Sequence, residues 1–336
     1  MTRHLVDLTG RPPSWPSASR RLWEDCLRRV GPQAWSSPPP PTGHPALRRA
    51  LAAELGADAD DIVITAGVRA AALLLARSHG AVLVERPTFR GVLDVFGGLG
   101  PPPHTAVWGE RFLAEADRLG ARADRGLLCW VTSPFRNPDG RSLDETFAAG
   151  LAALAADHTV VVNEVYRWST RSPAAGDGYH VGSLSKVAGG GVRLGWIRGA
   201  GAVDAVGGLS SLWTHPPMPW QEAWALFIER EGLSALREVY CEQPASAARA
   251  FVAALPAALR PSDAVPGSPH LTLPLRASDE AAAEAELRRR GLAMGRGRDF
   301  CTSRPALRLS FASVTIDQAE LAARIYAEFA GVGVPS

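Results

Sequence analysis

Residues 179–199 read YHVGSLSKVAGGGVRLGWIRG. Tyr179–Ser183 has the make-up of a short buried strand, and Gly195–Arg198 that of another. The Ser- and Gly-rich turn between them carries Lys186, the only lysine in the chain; all the other basic residues are arginine. Arginine matches lysine in charge but not in chemistry. A guanidinium stays protonated, whereas a lysine amine can lose its proton and attack a carbonyl. A Schiff base with an aldehyde cofactor requires that primary amine. Codon bias that removed every other lysine would leave the same composition, so the neighbours must decide.

Ser183 and Ser185 flank the lysine, and Arg193 follows seven residues after it. Two hydroxyls and a guanidinium can hold a phosphate beside an aldehyde bound to lysine. The triple glycine 189–191 lets backbone approach closely.

Outward from this stretch, short apolar runs alternate with alanine-rich helical ones. Strands are expected at 62–65, 81–85, 127–131 and 159–162, with helices at 45–55, 68–78, 91–100 and 143–157. This pattern means an α/β domain with a mostly parallel sheet, whose sites lie at the carboxyl ends of its strands. After a helical stretch at 216–259 come a strand (270–275), a helix (279–290), a strand (306–311) and a helix (316–329), a smaller α+β unit expected to pack with the amino-terminal arm. In that arm a helix fits 20–30, and the proline run at 36–43 reads as extended.

Composition excludes several classes. A net charge of +2 gives no electrostatic reason to expect nucleic acid or an acidic membrane surface. Four scattered cysteines match neither a metal site nor a disulfide framework and suit a reducing cytoplasm. The stretch MTRHLVDLTGRPPSWPS (1–17) has no apolar core of signal-peptide length, and no window approaches the ~20 apolar residues of a membrane span.

Other candidate residues fall just after expected strands. Gly67-Val68 sits where a strand turns into a helix, whose free N–H groups favour an anion. Asn137 opens NPDG after LLCWV, and Asn163 and Tyr166 lie in NEVY after the strand at 159–162. Asn and Tyr side chains can hydrogen-bond a phenolic oxygen, and Phe89 can stack on a ring. Singly, these are a tight turn, a cap and a half-buried ring. Trp213, His215 and Trp220, in SLWTHPPMPWQ (211–221), can line a pocket, meet a second subunit or pack in the core.

Jointly and in order, the motifs resemble those of fold-type I pyridoxal-phosphate enzymes, the class I/II aminotransferase superfamily. SLSKVAGGGVRLGW (183–196) resembles S-x-S-K followed by a glycine-rich turn and R-x-G-W. NPDG (137–140) resembles N-P-T-G, and TAGVRAA (65–71) resembles T-x-G-x-Q-x-A. RPALRLSFA (304–312) resembles the segment whose arginine binds the substrate carboxylate.

The resemblance implies a three-layer α/β/α domain with a mostly parallel seven-stranded sheet, plus a smaller α+β domain. It implies an arm and part of the small domain at 1–45, the large domain at 46–230 and the small one at 231–336. Lys186 becomes the Schiff-base lysine, and Ser183, Ser185, Arg193 and the amides of Gly67 and Val68 the phosphate cradle. Asn137 and Tyr166 become partners of the cofactor's O3′, Phe89 its stacking ring, Asn163 the partner of its ring nitrogen, and Arg308 the substrate's carboxylate clamp. A cytoplasmic homodimer acting on an amino acid or related amine is implied, most simply by transamination.

The chain departs from the pattern in four places. Asn163 stands where the superfamily has an aspartate, Arg69 where it has glutamine, and the arm lacks the tyrosine that reaches a neighbouring subunit's phosphate. The seven-residue spacing from Lys186 to Arg193 is closer to that of aminotransferase-like domains of bacterial regulators. An amide cannot pair with a pyridinium as a carboxylate does. Elimination or replacement, decarboxylation, cyclisation or oxidation therefore stay open, as does a non-catalytic sensor. Glu164 is expected to point away from the site, because neighbours on a strand alternate sides.

Overall fold

A computed structural model describes residues 5–98, 100–170, 178–207, 215–261, 267–275 and 279–331. After β1 (Val6–Asp7), seven strands form one sheet: β2 (Ile62–Thr65), β3 (Ala81–Arg86), β4 (His104–Val107), β5 (Leu127–Thr132), β6 (Thr159–Asn163), β7 (Tyr179–Ser183) and β8 (Gly195–Arg198). Their order is β2-β8-β7-β6-β5-β3-β4, and β8 runs antiparallel to both its neighbours while the other pairings are parallel. The expected mostly parallel seven-stranded sheet is therefore present.

Strand β5 shows how sequence sets the layers. All six of its residues are buried, and their sides alternate. Leu128 and Trp130 join one core with Val161, Val181 and Leu74, a residue of the helix Val68–Ala76. Leu127, Cys129 and Val131 join another, with Phe112 and Phe147 from the helices Glu110–Gly120 and Glu145–Leu154. A strand covered on both faces has no polar side to show, which is why it reads as an unbroken apolar run.

A third core gathers tryptophans. Trp23 lies 4.9 Å from Trp220 and 4.7 Å from Trp224, joining the amino-terminal helix Ser17–Arg29 to the helix Met218–Glu229. Trp220 donates its indole N–H to the Val192 carbonyl (2.8 Å), so core packing is its role. His215 contacts the Ile64 carbonyl through Nδ1, and Trp213 lies outside the described residues.

The remaining strands are β9 (His270–Pro274), β10 (Leu292–Ala293), β11 (Gly295–Arg296) and β12 (Ala306–Ser310). They form an antiparallel sheet β11-β12-β9 and a two-stranded parallel pair β1-β10. The helices Gln243–Ala254 and Ile316–Phe329 cover this smaller unit, and Val6 and Leu8 from the amino terminus enter its core. Thr315 and Gln318 close a capping box at the start of the last helix. Strand β4 and the helix Glu110–Gly120 have no counterpart in the sequence reading. The first is a mostly exposed edge of four residues just after three prolines.

One buried group works against stability. Glu85, at the end of β3, is fully buried; its Oε2 accepts from Trp108 Nε1 (2.6 Å), and Thr132 also interacts with the carboxyl. Burial pushes its carboxyl up to about 7, against the opposing charge of Arg136. A raised carboxyl favours folding below the unfolded value near 4.5 and loses that contribution as pH rises to 7. Glu85→Gln is expected to raise unfolding free energy at pH 8 by about 3 kcal/mol and to flatten the decline between pH 4.5 and 7. Urea midpoints across that range are the check.

Candidate active site

The carboxyl ends of β5, β6 and β7 and the turn after β2 enclose a cavity of about 320 Å³. Gly67, Val68, Phe89, Asn137, Asn163, Tyr166, Ser183, Ser185, Lys186 and Arg193 all line it. Arg308 lines an adjoining cavity of about 370 Å³, which shares Phe89, Asn137, Tyr166, Ser185 and Lys186 with the first. Every residue that the resemblance assigned to cofactor or substrate therefore lines one or both of these adjoining cavities, whereas His215 and Trp220 line neither.

Lys186 ends a single 3₁₀ turn, Leu184–Lys186, that stops β7. Its ammonium lies 5.6 Å from the centre of the Tyr166 ring. The hydroxyls of Ser183 and Ser185 are 2.6 Å apart. Arg193 takes the left-handed conformation (φ 49°), a strained choice for a side-chain-bearing residue, and its Nη2 donates to the Ala66 carbonyl at 2.7 Å. That hydrogen bond sets the guanidinium beside Gly67. Gly67 has φ +97°, which favours glycine, and it precedes the helix Val68–Ala76, whose first amides lack partners within the helix. Positive charge, helix terminus and hydroxyls thus converge at one end of the cavity.

At the end of β5, Asn137 is nearly buried and its Oδ1 has no hydrogen-bond partner among the described residues. A turn holds it in place: Gly140 N–H bonds to the Arg136 carbonyl (2.7 Å), and Arg136 pairs with Asp139. The residue is thus fixed while its own polar atom waits for a partner from outside the chain.

Asn163 and Glu164 part as strand alternation requires. The Asn163 Oδ1 accepts from Val165 N–H (3.3 Å), and its side chain lines the cavity. Glu164 has no exposed surface, and its carboxylate accepts from Trp196 Nε1 (2.9 Å), Arg198 Nε (2.9 Å) and Nη2 (2.6 Å), and Arg167 Nη1 (2.7 Å). Burial alone would raise its pKa. Hydrogen bonds from Arg198 and His180 and the charges of Arg198 and Arg167 outweigh burial and hold the carboxyl well below the usual range.

Arg308, on β12, is a buried cation, and no aspartate or glutamate among the described residues lines its cavity. Its Nη1 donates to the Thr9 carbonyl (3.2 Å), its plane lies 5.1 Å from the centre of the Phe300 ring, and its Nε is unpartnered. A buried guanidinium in this condition costs free energy until an anion arrives.

The structure adds residues that sequence reasoning missed. His270, on β9, lies 4.7 Å from the Tyr166 ring and makes a 2.8 Å contact from Nε2 to the Arg136 carbonyl. Burial, and then the charges of Arg308 and Lys186, push its imidazole well below the usual range, so it is neutral. Thr9, Gly10, Pro12 and Pro13 bring the amino-terminal segment to the second cavity, where Tyr240 and Phe300 also stand. No local signal marks these positions, because each reaches the site only through tertiary packing. Among the described residues no cluster suited to a metal ion occurs, and no helix is long and apolar enough to cross a membrane.

Residues 12–325 match the family model described as Aminotransferase class I and II. The chain belongs to this family, whose cofactor is pyridoxal phosphate. No curated protein matches the sequence. Among solved structures, it is similar to an archaeal alanine:glyoxylate aminotransferase at TM-score 0.80 and 22% identity, covering 96% of this chain and 90% of the other. An α-aminoadipate aminotransferase from Thermus thermophilus gives TM-score 0.78 at 21% identity, covering 97% and 92%. A kynurenine aminotransferase from Pyrococcus horikoshii gives 0.78 at 19%, covering 98% and 91%. At these identities the likeness is one of fold.

Pyridoxal phosphate suits the residues present. The site offers one primary amine, an anion cradle at Gly67 and Arg193, and the nearly buried amide of Asn137, which can both donate and accept. These are the complements of an aldehyde, a phosphate and a polar ring substituent.

Proposed function

We propose that this chain moves an amino group from an α-amino acid to a keto acid, with pyridoxal phosphate held on Lys186. The observation that carries the reading is one continuous cavity with the chain's only lysine at its centre and a buried arginine, whose cavity no described acid lines, beyond it. When bound, the cofactor supplies an aldehyde that condenses with amines and a ring that withdraws electrons from the carbon next to nitrogen.

The chain's residues do the rest. Ser183, Ser185, Arg193 and the amides at Gly67 and Val68 would hold the phosphate, Phe89 would stack on the ring, and Tyr166 and Asn137 would hydrogen-bond the phenolic oxygen. Arg308 grips the substrate carboxylate in a two-point fork, which turns the Cα–H bond toward Lys186. Lys186 Nζ, as the only lysine amine in the cavity, would serve as the base that takes and returns the substrate's Cα proton. His270, neutral behind Tyr166, keeps that ring in place without adding charge.

A homodimer belongs to this proposal. Trp35, in the arm, is 71% exposed, a large apolar surface that a second copy would cover. The four cysteines are free, which supports a reducing compartment such as the cytoplasm. The test is a single turnover without an amino acceptor: purified holoenzyme should release one keto acid per active site from a competent amino acid, read by mass spectrometry. Release of ammonia, carbon dioxide or a β-substituent instead would overturn transamination.

Asn163 favours a second reading, in which the same site runs a pyridoxal-phosphate reaction other than transamination. Its amide carries no charge to stabilise a protonated ring nitrogen, and Glu164 faces the other way, bound by Arg198 and Arg167. Asn163→Asp is expected to speed keto-acid release by on the order of tenfold, because a carboxylate shifts a neighbouring base by one or more pK units. Stopped-flow absorbance gives the rate, and no increase means that the amide does not limit the reaction.

A further inference from the structure

The second cavity is lined by Arg308 and by an apolar and aromatic wall of Pro12, Pro13, Phe89, Phe300, Tyr240 and Ala312, with the Phe300 ring beside the guanidinium. Arg308 is already assigned to the carboxylate, so this wall meets the substrate's side chain. We infer that the substrate is an α-amino acid with an uncharged, apolar or aromatic side chain, an inference that rests on the aminotransferase reading.

Three observations carry it. First, no aspartate or glutamate lines either cavity among the described residues, while Lys186 and Arg308 both face the second. A cationic side chain would enter beside two positive groups with no counter-charge. Second, three polar atoms near the wall are already engaged. The Tyr240 hydroxyl donates to the Pro13 carbonyl (2.7 Å), the His270 Nε2 contacts the Arg136 carbonyl, and the Thr9 carbonyl takes Arg308. An acidic side chain would need a second cation there. Arg69 lines only the cofactor cavity, its guanidinium carbon 5.5 Å from the centre of the Phe89 ring.

Third, the wall is built in advance. Proline fixes φ at positions 12 and 13, Tyr240 holds the second of them, and Trp15 Nε1 ties the next turn to the Ala188 carbonyl (2.6 Å). A preformed apolar surface of this kind loses little order when a side chain meets it.

The test uses the holoenzyme and the absorbance of its bound cofactor, titrated with L-leucine, L-phenylalanine, L-alanine, L-glutamate and L-arginine. Burial of a leucine- or phenylalanine-sized side chain should lower half-saturation about 10- to 100-fold relative to alanine. Glutamate and arginine should gain nothing over alanine. Ala312→Arg should narrow the gap between leucine and glutamate by at least tenfold. Tighter binding of glutamate or arginine than of leucine, or a gap that Ala312→Arg leaves unchanged, overturns this inference alone. A spectrum that no amino acid moves would bring down the aminotransferase reading and this one with it.

Discussion

Lys186→Arg is expected to lower turnover by roughly 10⁴-fold or more while leaving the urea midpoint near its original value. Charge is kept in this substitution, so any electrostatic service to Tyr166, 5.6 Å away, survives. Two things are lost: a nucleophile that can bond to an aldehyde, and a base that can carry a proton between adjacent atoms. The same variant should lack the near-visible absorption of a lysine-bound cofactor, and borohydride should no longer fix cofactor mass to the peptide that spans 184–193. Arginine elsewhere in the chain meets every other need for a cation, so rescue by a neighbouring amine has no source: there is no other lysine. A variant that retains the absorption band and more than a tenth of wild-type turnover would remove Lys186 from the chemistry.

Legibility in the sequence followed burial. Strands β2, β5, β6 and β7 are covered on both faces, so their apolar runs stood out, and polar residues just past their ends stood out in turn. Asn137, Asn163, Ser183 and Lys186 were readable for that reason. Strand β4 was not, because an edge strand with mostly exposed residues carries no such contrast. Nor were β10 and β11, two residues each, which exist only through their partners. His270 had nothing local to mark it: its contact with the Arg136 carbonyl crosses 134 positions of sequence. Arg308 was picked from many arginines by motif resemblance. What sets it apart physically, deep burial with no acid beside it, belongs to the fold.

Glu164→Ala is the substitution expected to cost most in stability, about 3–5 kcal/mol at pH 7, because it strips the counter-ion from two nearly buried guanidiniums. The side chains of Arg198 and Arg167 are only 16% and 10% exposed, and neither can be rehydrated without moving β8 or the turn after β6. Trp196, fully buried, loses the acceptor for its indole N–H at the same time. The pH dependence has a definite sign. Glu164 is depressed in the folded chain, so its contribution is complete above the unfolded value near 4.5 and is lost as pH falls toward the lower folded one. Wild-type protein should therefore weaken steeply below pH 4.5, and Glu164→Ala should show less of that decline while starting from a lower plateau. Urea unfolding at pH 7 and pH 4 measures both. A difference below about 1 kcal/mol at pH 7 would mean that the arginines find other partners. The consequence for the site follows from the strand: Asn163 and Glu164 are neighbours on opposite sides of β6's end, so the ion network that fixes one residue sets the angle at which the other meets the cavity. The position at which resembling sequences carry an aspartate is here the amide of Asn163, and the neighbouring acid, Glu164, is bound by arginines on the other side of the strand.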